Sequence, residues 1–145
     1  MVTTNGSFNF EYGYVQVQAR LPMSPGLWPG LWLAASDLNW PPEIDIMEHW
    51  DNQPMYGVYL HTAGPTQETH VPAPDLGAWH TYALSWEPDQ LTWYLDGEQV
   101  YSTSDYVPHQ LMYFVANVAE SEQLTATAGC EGTMQIRSVK IWQHS

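Results

Sequence analysis

Residues Trp40 to Trp50 read WPPEIDIMEHW, and within this stretch three carboxylates, Glu43, Asp45 and Glu48, fall inside six residues with Ile44, Ile46 and Met47 between them. Acid alternating with branched apolar residue is the pattern of a strand half-buried in a sheet. Glu43 and Asp45 therefore point to one face, and Ile44 and Ile46 to the other. Glu48 breaks the alternation, because it stands five positions after Glu43 and an odd offset turns it to the apolar side. A β-bulge with its extra residue at Met47 returns Glu48 to the acidic face. The two glutamates are then roughly 13 Å apart at Cα, for a rise of about 3.3 Å per residue. Three like charges on one pleat repel each other, so a merely solvated face accounts for them poorly and a site that uses carboxylates accounts for them better. Oxygen ligands would suit a divalent cation, but same-face strand positions diverge instead of wrapping an ion, which argues against a metal site.

Composition bounds the rest. The 145 residues suffice for a single domain with a real core. Eleven Pro and ten Gly, spread among eight Trp and nine Tyr, favour many short strands over helices. The net charge of −13 argues against nucleic acid or an anionic membrane as partner. It also favours a neutral over a sulfated glycan, since Arg20, Arg137 and Lys140 are the only Lys and Arg residues. Cys130 is alone, so no intrachain disulfide is expected. No segment is long and apolar enough to span a membrane, and no basic, then apolar leader opens the sequence.

In chain order, Phe8, Phe10 and Tyr12 alternate, and Val15, Val17, Ala19 and Leu21 do so on the opposite parity. Two strand patterns with a bend at Gly13 are expected. Pro22 to Gly26 is turn chemistry, and Leu27 to Ala35, apolar on both parities, predicts a strand buried between two layers. Trp28 and Trp32 share a face of it; Trp32 is expected in the core, and Trp28 at a cleft where an indole stacks on a sugar ring. Trp40 and Trp50, flanking the acidic strand, are candidates for the same role. Met55 to Thr62 alternates with His61 on the polar side. Ala63 to Ala78 shows no period and predicts a loop. Trp79 to Glu87, Leu91 to Leu95 and Gln99 to Ser102 are strands, the last two joined by the Asp96-Gly97 hairpin signal. Leu111 to Ala119 is a strand carrying Asn117, a cleft-facing amide or a satisfied core residue. Glu120 to Gly132 is irregular, and Met134 to Trp142 closes the fold.

These segments carry a resemblance. EIDIME resembles the bulged ExDxxE active-site motif of glycoside hydrolase family 16, in the form found in laminarinases, agarases and exopolysaccharide glycanases. FNFEYGYVQVQARLP and GLWPGLWL are similar to the strands before that motif. WHTYALSWEPDQLTWYLDGEQVY, MYFVANVA and MQIRSVKIWQ are similar to those after it, in the family's order.

The resemblance implies an all-β fold, a two-sheet antiparallel sandwich of the jelly-roll, concanavalin A-like type. It implies retaining endo-hydrolysis of β-1,3 or mixed β-1,3/1,4 linkages in a neutral polysaccharide. Glu43 would be nucleophile and Glu48 acid and base, their carboxyls about 5–5.5 Å apart, with Asp45 between them. Trp28, Trp40, Trp50, His61 and Asn117 would bind substrate. No cofactor, no metal, an extracellular location and a monomer are the accompanying expectations. Family 16 catalytic domains are considerably longer, so the single domain expected over residues 1–145 lacks the first strands. The Gly-Gly-Trp type of segment expected after MYFVANVA is replaced by Glu120-Ser121-Glu122. A lectin-like binding module on the same sandwich, or an inactive fragment of such a hydrolase, are the alternatives.

Overall fold

The structure, a computed structural model, describes residues 1–50, 53–73, 75–120 and 131–143. Its strands are β1 (Val2–Thr3), β2 (Gly13–Arg20), β3 (Leu27–Ala35), β4 (Glu43–Glu48), β5 (Met55–His61), β6 (Gln67–Pro72), β7 (His80–Trp86), β8 (Leu91–Leu95), β9 (Glu98–Thr103), β10 (Met112–Glu120) and β11 (Gln135–Trp142). They pair antiparallel into a six-stranded sheet, β1-β10-β3-β4-β5-β6, and a five-stranded sheet, β11-β2-β7-β8-β9. The inner faces meet in one core, with Val15, Val17, Leu84, Trp86 and Trp93 packed against Leu31, Leu33, Ile44, Met47, Val58 and Phe114. This is the expected sandwich, and it puts β4 in the middle of its sheet, with the acidic side facing away from the core.

The bulge lies where the odd offset requires it. Against β5, Asp45 pairs with Tyr59 and Glu48 with Gly57, so Ile46 and Met47 together face Val58. Against β3, Met47 pairs with Leu31 and Asp45 with Trp32, so the residue left without a partner is Ile46, not Met47. Both side chains enter the core, at 2% and 0% exposure. Two adjacent apolar residues fit the pattern equally, and only the register separates them.

Other elements depart from expectation. Phe8 to Tyr12 forms no strand; Phe10 makes one bridge to Met112, and Tyr12 (φ 62°) and Gly13 (φ 128°) turn the chain into β2. A side chain at Gly13 would overlap the Trp142 carbonyl oxygen, so glycine is required there. The Ala63 to Ala78 segment contains an edge strand, β6, whose Gln, Glu, Thr and His residues pair with β5 alone. Such an edge needs little apolar surface, which removes the period that reveals strands. β3 is buried on one side only, since Trp28, Trp32 and Ala34 remain partly exposed. Val2 and Thr3 pair with Ala116 and Val115, a strand too short to leave a pattern. Cys130 and most of the irregular stretch after Glu120 lie outside the described residues.

Candidate active site

Because β4 pairs with β3 on one side and β5 on the other, each acid has fixed neighbours. Glu43 lies across from His61, Asp45 from Tyr59, and Glu48 from Gly57. On the β3 side Glu48 faces Gly30 and Asp45 faces Trp32. Glu43 and Glu48 line one hollow of about 180 Å³ together with Trp28, Trp32 and Asn117. A second hollow of about 190 Å³ adjoins it across Glu43 and Trp32 and is walled by Trp40, Leu38 and Tyr113. The groove thus passes over Glu43 and continues on both sides.

Burial sets the protonation of the three acids. Asp45 is 1% exposed, and burial raises its pKa while His61 beside it opposes the rise. His61 Nε2 stands 3.3 Å from Asp45 Oδ2 and 3.8 Å from Glu43 Oε1. The contact with Asp45 is an ion pair without good hydrogen-bond alignment, since neither Asp45 carboxylate oxygen has a hydrogen-bond partner. On its far side His61 Nδ1 hydrogen-bonds Thr66 Oγ1 at 3.3 Å. Asp45 raises the pKa of His61 more than any other neighbour, with Glu43 and Glu48 adding to it against burial. Glu43 is pushed up to about 7, first by burial and then by the charge of Asp45, with His61 and the Trp40 indole pulling it down. Glu48 is pushed up to about 8 by burial, Asp45 and Glu43, with His61 and the Trp28 indole opposing. The two titrate as a pair, and between its first and second ionisation the hollow holds one carboxylate and one carboxylic acid.

Glu43, Asp45 and His61 also bring ligand atoms within 4.8 Å of one another, close enough to hold a cation. Once protonated, His61 itself supplies positive charge at that point, and a metal would have to displace that proton.

The structure brings together Glu43, Asp45, Glu48, His61, Trp28, Trp40 and Asn117. Trp40 packs against His61 with ring centroids 5.8 Å apart and is 67% exposed. Trp50 stands beyond Glu48, against Tyr59 (6.2 Å) and His70 (5.5 Å). Asn117 Oδ1 accepts a 2.7 Å hydrogen bond from Trp32 Nε1, so this amide faces the groove and holds an indole there. Trp32 is therefore no core residue. It shares parity with Trp28 and Gly30 on β3, and that parity, matched to the acids of β4, was the available signal. Tyr59, which the sequence pattern does not single out, also stands at the site, across from Asp45. Its ring lies over Gly57, where an added Cβ would come within 2.5 Å of it, so glycine opposite Glu48 provides the space.

With this geometry in view, the comparisons are specific. The sequence profile of "Glycosyl hydrolases family 16" matches residues 1–137, and the chain belongs to that family. It is 33% identical over 127 residues to the endo-1,3-1,4-beta-glycanase ExsH of Rhizobium meliloti, a match covering 82% of this chain and 27% of that protein. It is 30% identical over 115 residues to a beta-glucanase of Rhodothermus marinus, covering 69% of this chain and 40% of that protein. Among solved structures, SCLam, a non-specific endo-beta-1,3(4)-glucanase, superposes with a TM-score of 0.86 at 29% identity, over 97% of this chain and 61% of that one. The matches thus span 27% and 40% of the length of these two sequence relatives.

Proposed function

We propose that residues 1–145 form one catalytic domain that hydrolyses internal bonds of a β-1,3- or mixed β-1,3/1,4-linked glucan with retention of configuration. The observation that carries this reading is the pair Glu43 and Glu48 in one hollow, with pKa values of about 7 and about 8. Glu43, as carboxylate, attacks the anomeric carbon while Glu48, as acid, gives its proton to the leaving glycosidic oxygen. Glu48 then removes a proton from the water that cleaves the glycosyl ester, and Glu43 leaves as carboxylate. Forming the ester removes one negative charge beside Glu48, which lowers its pKa and suits it to act as base. Burial, with the charge of Asp45 adding to it, keeps Glu48 protonated until that point. A groove running past Glu43 on both sides suits a chain bound along its length, hence internal cleavage. Trp28, Trp32 and Trp40 offer faces for sugar rings, Asn117 and His61 offer polar contacts, and Trp50 extends the row. The names of the relatives support a β-glucan as substrate. A polymer of that size is met outside the cell, so we place the activity there.

A reducing-sugar assay on laminarin and lichenan tests this. Cleavage by the wild-type chain and its loss in Glu43→Gln and in Glu48→Gln, with folding intact, are expected. Added azide should partly restore Glu43→Ala and yield the glycosyl azide of inverted configuration. Binding without cleavage would replace the hydrolase by a lectin-like module, and full activity in either Gln variant would overturn the roles.

A further inference from the structure

Tyr59 stands among the acids without a part in the chemistry assigned to them. It pairs with Asp45 across β4 and β5, and its ring leans along β5 over Gly57, the partner of Glu48. The missing side chain makes the room. A Cβ on Gly57 would come within 2.5 Å of both Cε2 and the hydroxyl oxygen of Tyr59. The phenol therefore sits at the Glu48 end of the acidic row, on the β5 side. On the β3 side the Trp28 indole meets the same glutamate.

Two features mark this hydroxyl as one that takes a ligand. The first is that it is held but unused. His61 stacks on the ring at 5.9 Å and 15°, Trp50 lies against it at 6.2 Å, and His70 meets it edge-on at 6.3 Å. Packing of this kind fixes the ring before any ligand arrives, which lowers the cost of binding. Among the described residues the hydroxyl makes no hydrogen bond, and it is not sealed from water as the unpaired Tyr82 hydroxyl is. The second is its protonation. Burial raises its pKa, and the charge of Glu48 adds more to the rise than Glu68 or Asp45 does, so the phenol keeps its proton and can donate it in a hydrogen bond.

We propose that Tyr59 is a substrate-binding residue on the leaving-group side of the scissile bond, where its hydroxyl donates a hydrogen bond to the sugar that departs. The inference rests on the roles given above to Glu43 and Glu48. Glu43 attacks the anomeric carbon of the sugar that stays, whereas Glu48 gives its proton to the oxygen of the sugar that leaves. The hollow walled by Trp40, Leu38 and Tyr113 touches Glu43 and not Glu48, so it takes the retained part of the chain. Tyr59 leans toward Glu48, at the other end. A hydroxyl built to bond a sugar discriminates against a leaving group that lacks the matching oxygen.

Kinetics on two substrates test this: laminarin, whose leaving group is a glucan, and 4-methylumbelliferyl β-laminaribioside, whose leaving group carries no sugar hydroxyl. Tyr59→Phe keeps the ring and its three aromatic neighbours. In that variant the ratio of kcat/KM on laminarin to kcat/KM on the aryl substrate should fall by about tenfold, as for the loss of one neutral hydrogen bond. Gly57→Ala, which puts a methyl group where the phenol lies, should lower the same ratio although the hydroxyl is still in the chain. Far-UV circular dichroism should show both variants folded. A ratio in Tyr59→Phe within about twofold of wild type, including an equal loss on both substrates, would overturn the proposal and leave the hydrolase standing. A wild-type chain that cleaves neither substrate would overturn the roles of Glu43 and Glu48, and this inference with them.

Discussion

Trp93, buried in the five-stranded sheet, donates its indole N–H to the backbone carbonyl of Asp45 at 2.9 Å. A core side chain of one sheet thus fixes the backbone of the other at the residue that precedes the bulge. The acidic face keeps its shape partly through a contact on its hidden side.

Replacing Trp93 with Phe keeps an aromatic ring in the core but leaves the Asp45 carbonyl without that donor. Chemical denaturation should report a loss of about 1–3 kcal/mol. The turnover number should fall more than KM rises, because the placement of Glu43 relative to Glu48 is disturbed while the groove surface remains.

The pH profile of kcat/KM should be a bell whose limbs report Glu43 and Glu48, near their values of about 7 and about 8. Asp45→Asn removes a charge that raises both groups, so both limbs should move to lower pH as activity drops. They should stop above the ordinary carboxylate range, because burial is the larger cause in each case. An alkaline limb that stays in place would leave burial and the charge of Glu43 holding the proton on Glu48.

Stability should also depend on pH, with a definite sign. Glu43 and Glu48 bind protons more tightly folded than unfolded, so between the ordinary 4.5 and about 8 the native state holds more protons. Stability therefore falls as pH rises through that window. His61 and His80 are raised as well and act in the same direction, losing their contribution as pH climbs from 6.5 through their folded values. His49, lowered by burial, opposes them. Scanning calorimetry should show Tm decreasing from about pH 5 to about pH 8. In the Glu43→Gln/Glu48→Gln double variant that slope should flatten.

Deleting Met47 should not simply swing the last acid into the core. Without the extra residue, regular alternation brings Glu43, Asp45 and the shifted glutamate to one face again. Partial activity is expected if the strand re-registers, and a crystal structure of the variant should then show an unbulged β4. Inserting one alanine beside Met47 also makes the offset even, but regular alternation then sets the last glutamate about 20 Å from Glu43 at Cα, for a rise of about 3.3 Å per residue, and hydrolysis should be lost.

Strands with one apolar and one polar side were readable residue by residue, and β4 was readable together with its bulge because charge marks the face. The failures share a cause. β6 takes its stability from backbone pairing at an edge, so it has no apolar period, and β1 is shorter than any period. Trp32 was misplaced because an indole is as much at home in a core as beside a sugar; only its parity with Trp28, across from the acids, distinguishes the two. The shared Glu43 and Trp32 walls of the groove, and the support Asn117 gives Trp32, depend on which strands become neighbours. Those pairings join β10 to β3 across 77 to 93 positions of chain (Asn117 with Gly30, for example, 87 apart), and no local pattern encodes them.

Among the described residues β6 ends its sheet, so its outer backbone donors and acceptors form a template on which a second chain could add a strand. The Gln, Glu, Thr and His side chains along it would lose water in such an addition, and the strand that leaves no apolar period in the sequence therefore also guards one molecule against stacking on the next.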